Sequence, residues 1–328
     1  MKTYLVIFAL LTAMTAASVR GGESGLPDSS AAAPPGAAAP TSAPQAGAPS
    51  SPSPNDADAS LVPEPSKSCP GVSFSRNLQY GENDLNVLDV ATSDSRQTSR
   101  HPVLLFVAGD SFAGESGTPG TMDPLEDQAM CFAARHGMVG VKVSYRLAPA
   151  YPWPAAARDV AAAASWVHQN IDLFGGSRDE IIAVGYSVGA FHVASFLAHP
   201  ELQVGDSPVA AAALVSGIYH LGADATATEK AYFGADASKY NERSALPGLL
   251  KSETPLLVAW SAVDPPSLVA QGEKLKQLLC NSIAHCPHIS VIKHRDTPSS
   301  VFGLDGSDGS LAEPILELVR EIEARGLP

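Results

Sequence analysis

The chain has 328 residues, with 34 acidic against 21 basic side chains and a formal charge of −13. A hydrophobic fraction of 45% supports a sizeable core and excludes wholesale disorder, and the acidic balance excludes nucleic acid or an anionic membrane surface as the main partner. Four cysteines without a CxxC pair exclude a zinc ribbon or a dense disulfide scaffold.

Lys2 precedes an apolar run from Leu5 to Leu11 and then small residues through Ser18. That pattern predicts a secretory signal peptide over residues 1–18, cleaved near Ala17, and a periplasmic or secreted protein. The run is too short to span a bilayer, so no integral membrane span is expected after cleavage. Ten of the 27 prolines lie between Pro27 and Pro65. Residues 19–68 are mostly Ala, Pro, Ser and Gly, with almost no large side chain to bury, and read as a disordered linker. The globular domain is expected over 69–328.

Within it, 74–80 and 86–90 read as an antiparallel edge pair. Continuously apolar strands are expected at 103–107, 138–144, 181–184, 209–215, 255–260 and 288–292. Helical spacing occupies 123–136, 155–170, 188–199, 267–280 and 311–324. Such strands are buried on both faces, so the alternation predicts an α/β fold with a mainly parallel central sheet and helices on both sides. Residues 216–254, with Tyr232-Phe-Gly and Tyr240, break the alternation and read as a short cap insertion over a cleft.

Gly185-Tyr-Ser-Val-Gly189 stands between the expected strand at 181–184 and the helix from Val188. A GxSxG string in that setting is a nucleophile elbow. It puts Ser187 on a sharp turn at the carboxyl edge of the sheet, with the Val188 amide and a helix N-terminus facing a developing negative charge.

With Tyr145-Arg-Leu-Ala-Pro149, Tyr151-Pro-Trp-Pro154, Asp159-Val160, Ala231-Tyr-Phe-Gly234, Arg243-Ser-Ala-Leu246 and Asp264-Pro-Pro266, the chain resembles the α/β-hydrolase superfamily over roughly residues 74–325. Within it, the chain is similar to the secreted esterase/lipase group related to hormone-sensitive lipase and feruloyl-esterase-like proteins. The resemblance implies the α/β-hydrolase fold and a Ser–His–Asp hydrolase of carboxylic esters or small amides. Asp264, directly after the strand 255–260, takes the place of the acid; a helix N-cap is its other reading. Arg146 and Asp159 read as a structural pair at a strand-to-helix corner.

Three histidines follow Asp264. His285 lies between two cysteines and His288 opens the last strand at the wrong end. His294 closes that strand and is the candidate base. The resemblance places the histidine two residues before a Ser-x-Val string, which in Ser299-Ser-Val301 reaches Thr297 rather than a histidine. Where the family carries His-Gly-Gly-Gly, this chain has Ala108-Gly-Asp-Ser111, so the oxyanion donors are the amides of Asp110, Ser111 and Val188. A carboxylate of Asp110 about 4 Å from an oxyanion would cost on the order of 4 kcal/mol at an effective dielectric near 20, roughly a thousandfold in rate. The reading is therefore a serine hydrolase with a partly degenerate apparatus. The alternative is a catalytically impaired relative that binds a ligand or partner in the same cleft. No cofactor or metal is implied, and His192 reads as a satisfied core histidine. Cys280 and Cys286, flanking a short loop in an exported protein, are expected to pair. Cys69 and Cys131 carry no comparable argument.

Overall fold

The computed structural model describes residues 64–65, 69–95, 99–109, 111–114, 124–203, 207–282, 286–293 and 311–326. The expectations for the signal segment, most of the linker, Asp110, His285, His294 and Thr297 lie outside the described residues. Chain contacts divide the protein at residue 51, and every described residue falls in the second unit, Pro52–Pro328. No described helix is long and apolar enough to cross a membrane.

Nine strands form one sheet: β1 (Glu64–Pro65), β2 (Val72–Gln79), β3 (Val87–Ser93), β4 (His101–Val107), β5 (Val139–Val143), β6 (Gly176–Tyr186), β7 (Val209–Val215), β8 (Leu256–Ser261) and β9 (His288–Ile292). Their spatial order is β1-β2-β3-β5-β4-β6-β7-β8-β9. The first four in that order pair antiparallel, and from β5 to β9 every pairing is parallel. Most element ends shift by a few residues from the sequence reading, and two differences are larger. Glu64–Pro65, inside the expected linker, add a short edge to β2. β6 starts at Gly176, where Gly176 pairs with His101 before the apolar run begins.

The inner parallel strands β4 to β8 bury both faces along their apolar runs, while the edge strand β9 leaves Val291 exposed. Along β4, Val103, Leu105 and Val107 face α2 (Ala155–Asn170), α3 (Val188–Ala198) and α7 (Pro266–Asn281). Leu104 and Phe106 face α1 (Pro124–Arg135) and α8 (Ala312–Gly326). Between β7 and β8 the chain forms three short helices, α4 (Ala227–Phe233), α5 (Tyr240–Arg243) and α6 (Leu246–Leu249). Tyr232 stacks on Phe112, ring centres 5.5 Å apart, and Phe233 meets Phe112 and Phe191 edge-on at 5.0 Å each. These aromatic contacts seat the insertion on the sheet's carboxyl edge.

Both cysteine pairs are disulfides, Cys280–Cys286 as expected and Cys69–Cys131 in addition. The second pair fastens the antiparallel strands to α1 within a small apolar cluster of Val72, Phe74, Ala91 and Met130. Partners 62 residues apart restrict the unfolded chain more than partners 6 apart, by loop entropies of about 4 and about 2.4 kcal/mol. Sequence spacing exposes the short loop and hides the long one.

A charged network absent from the sequence reading lies beside that disulfide. The buried carboxylate of Asp89 accepts from Arg76 at 2.8 Å and from the Asn77 amide at 2.8 Å. Arg76 also grips Asp127 through two bonds of 2.8 and 3.0 Å, and buried Lys142 lies 3.1 Å from Glu126 and 3.4 Å from Asp89. Burial lowers the Arg76 and Lys142 pKa values, but the neighbouring carboxylates outweigh it and leave both raised. Both cations therefore stay charged up to alkaline pH. Removing Asp89 leaves the Arg76 and Lys142 cations with one carboxylate each and the Asn77 amide without its acceptor, so Asp89→Ala should cost about 3–5 kcal/mol in urea unfolding. Cutting the exposed Arg178–Asp172 pair with Arg178→Ala should cost about 1 kcal/mol or less.

His192, on α3, corrects one expectation. It is buried, but it is not satisfied: neither ring nitrogen has a hydrogen-bond partner among the described residues. Its ring sits among Tyr145 at 4.7 Å, Tyr232 at 5.3 Å, Phe191 at 5.7 Å and Phe112 at 5.8 Å. Burial pushes its pKa down to about 3. Between that value and the ordinary 6.5 the unfolded chain binds a proton that the folded chain does not. Stability therefore drops as the pH is lowered through this window, by about 1.4 kcal/mol per unit. His192→Phe should remove that slope, so the stability difference between variant and wild type should grow steadily from pH 6.5 to pH 4. Denaturant unfolding at stepped pH measures it.

Candidate active site

The strand order sets the site. The carboxyl ends of β4, β6, β7, β8 and β9 lie side by side, so the residues just after them share one edge. These are Ala108 and Gly109, Ser187, Ser216 and Asp264.

Ser187 follows the last residue of β6 and caps α3 with φ 55° and ψ −120°. A serine is held there only if its surroundings over-determine the turn, at about 1–3 kcal/mol of strain. Two contacts do so: the Ser187 amide donates to the Val215 carbonyl at 2.9 Å, and Gly189 packs against the end of β4. A Cβ at Gly189 would overlap the Val107 carbonyl oxygen, so only glycine lets the helix start this close to the sheet.

Asp264 is buried behind a tight turn at the end of β8. Its Oδ2 accepts from the Ser261 amide at 2.9 Å and from the Ser216 hydroxyl at 2.5 Å. The N-cap of α7 is Pro265. Ser216, itself at φ 50°, is absent from the sequence reading of the site. A serine directly after a buried parallel strand, next to the elbow strand, is the signal that would have found it.

Ser187, Val188 and Ser216 line a cleft of about 210 Å³. Ser111 and Phe112 form one side, Ile218 and Leu268 the other, and Thr226, Thr228 and Glu229 of the cap insertion close it. A larger cavity of about 540 Å³ opens at the amino ends of β4 and β6, beneath His101 and Gly175. It holds serines but no strained turn and no buried acid, so the smaller cleft is the candidate site.

The oxyanion side is built from the loop after β4. Tyr145 donates to the Ala108 carbonyl at 2.7 Å, and a Cβ at Gly109 would collide with that tyrosine hydroxyl. Ala113 bridges to Ala148, and the Ser111 hydroxyl closes its own loop onto the Ala113 carbonyl at 2.9 Å. Below, Arg146 and Asp159 pair at 2.6–3.1 Å, as the corner reading expects. The Val188 amide donates to the Gly109 carbonyl at 3.1 Å, so the donor offered to an oxyanion is engaged in this conformation.

Among the described residues no histidine lines the cleft, and no cluster of His, Cys, Asp or Glu is arranged to hold a metal ion. His288 lies at the opposite edge, 3.0 Å from Glu321. Asp110 and His294 lie outside the described residues.

Residues 116–274 match a family model described as an alpha/beta hydrolase fold. The esterase LipQ of Mycobacterium tuberculosis is 33% identical over 209 residues, covering 58% of this chain and 46% of that protein. The esterase LipC of the same organism is 33% identical over 115 residues, covering 35% and 27%. The chain thus spans less than half the length of these relatives. Esterase B of Lactobacillus rhamnosis superposes with a TM-score of 0.63 at 15% identity, covering 82% of this chain and 92% of that one. Strand order, serine elbow and family match agree on an α/β-hydrolase fold, and the chain is similar to esterases of that fold.

Proposed function

We propose that the protein is a carboxylesterase-type serine hydrolase acting on small carboxylic esters or amides, exported from the cytoplasm. The observation that carries this reading is the strained Ser187 sharing its cleft with Ser216, which in turn holds the buried acid Asp264. Ser187 is the nucleophile. His294, after the strand next to β8, takes its proton, and Asp264 orients the imidazole and stabilises its charged form. The cleft is smaller than the roughly 300–1,000 Å³ usual for drug-sized ligands, which favours short acyl groups. The two disulfides support export, since such bonds persist in oxidising compartments.

Acylation needs the Gly109 carbonyl away from the Val188 amide. One planar peptide carries that carbonyl and the Asp110 N–H on opposite sides. Turning it therefore frees one donor and brings the other in. The engaged amide also favours a second reading, a relative that binds in the cleft without turnover.

Initial rates on p-nitrophenyl esters separate the two. Acetate and butyrate should be hydrolysed, and chains beyond about eight carbons should be poor substrates. Ser187→Ala and His294→Ala should each cost on the order of 10⁶ in turnover, because triad members act as a unit. Ser216→Gly removes a charge-assisted bond without adding strain and should cost about ten- to a hundredfold. Parent activity already at the residual level, indifferent to Ser187→Ala, would establish the non-catalytic reading.

A further inference from the structure

The chemical cleft has one formal charge among its described lining residues, and the proposed reaction has no use for it. Glu229 stands in the first turn of α4, on the cap side, facing the same space as Ser187. One carboxylate oxygen, Oε2, accepts from the Thr226 amide at 2.6 Å, closing a capping box with the Thr226 hydroxyl. That contact fixes where the charge stands. No basic side chain among the described residues pairs with Glu229. The nearby cap cations are committed or turned outward: Lys239 pairs with Glu242, Arg243 donates to the Phe233 carbonyl, and Lys230 is exposed.

A carboxylate held rigidly in a small cleft, with Ile218 and Leu268 as apolar walls, acts at short range through a partly excluded solvent. The chain's charge of −13 adds the same sign at longer range, and the buried Asp264 carboxylate stands behind Ser216. A neutral ester needs none of this. Capping the helix does not require a charge either, since a glutamine serves in the same box.

We infer that Glu229 selects substrates by charge: the cleft takes esters that carry a cationic group, such as an ammonium, and turns away those that carry a carboxylate. The inference rests on the serine-hydrolase reading for its chemistry and on cleft electrostatics for its selectivity. At separations of several ångströms in a cleft open to solvent, one unit charge gives on the order of threefold preference in each direction, about tenfold between cationic and anionic esters.

The experiment uses esters of one shape and three charges, with the charge placed in two ways. In one series the acyl group ends in trimethylammonium, tert-butyl or carboxylate on a p-nitrophenyl ester. In the other, thioacetates carry the same three ends on the leaving group. In at least one series kcat/KM should rank cationic, neutral, anionic, with a cationic-to-anionic ratio of about tenfold or more. Glu229→Gln keeps the helix cap and should cut that ratio by about tenfold. Glu242→Gln removes the same formal charge outside the cleft and should leave the ratio in place.

Binding of the same compounds to the Ser187→Ala protein, read by calorimetry, should show the same ranking and the same response to adding Glu229→Gln. That arm answers the question even if the parent chain turns over none of them, in which case the hydrolase reading fails and the charge selection stands. Equal rates and equal binding across the three charges would overturn the inference. So would a ranking that survives Glu229→Gln, which would assign it to the overall charge.

Discussion

The active edge depends on one hydrogen bond between neighbouring strands, from the Ser187 amide to the Val215 carbonyl. Ser187 sits at a φ that serine rarely adopts, and a turn of that kind relaxes unless both sides hold it. On one side β7 accepts the amide. On the other, Gly189 lets α3 begin against the Val107 carbonyl. The elbow is therefore a property of three strands, β4, β6 and β7, and of the packing that keeps them in register. The apolar runs on both faces of the sheet supply that rigidity, and the cap insertion adds to it through Tyr232 and Phe233.

The next residue along β7 continues the same chain of constraint. Val215 takes the Ser187 amide, and Ser216 gives its amide to the Ala259 carbonyl and its hydroxyl to Asp264. Ser187 and Asp264 are thereby tied to consecutive residues of one strand end. A second positive φ at Ser216 makes this possible, because it swings the hydroxyl toward β8 rather than along β7. Two strained serines cost about 1–3 kcal/mol each, which a sheet with both faces buried offsets. Relaxing either would loosen the geometry of both.

Much of this was legible in the sequence. The helix at 155–170 and the strands at 209–215 and 288–292 match to the residue, because long apolar runs and Ala-rich periodicity leave little choice. The elbow was legible because GxSxG between a strand and a helix has one mechanical meaning. What was hidden depends on distant partners. Ser216 is an ordinary serine until β8 brings Asp264 to it. The Arg76–Asp89–Asp127–Lys142 network joins four segments, and the Cys69–Cys131 bond closes a loop that no spacing rule reveals. His192 was legible as buried but not as unsatisfied, since an aromatic surround is assembled from α3, the loop after β4, the corner at Tyr145 and the cap.

The engaged Val188 amide turns on a comparison of magnitudes. Its bond to the Gly109 carbonyl is a neutral one, worth about 1 kcal/mol net. A donor aimed at a developing oxyanion is worth about 2.7–4 kcal/mol in the transition state. Exchange of one for the other is downhill as negative charge develops on a substrate oxygen, and not before. Glycine at 109 is what makes the exchange geometrically accessible, since no side chain resists rotation beside the Tyr145 hydroxyl. The charge on Asp110 works against the same step wherever its carboxylate stays close to the reacting oxygen. A cleft that already holds Glu229 compounds that repulsion, and a cation on the substrate relieves it. The features that depart from the family pattern at the oxyanion loop and the carboxylate on the cap therefore act on one quantity, the free energy of negative charge beside Ser187.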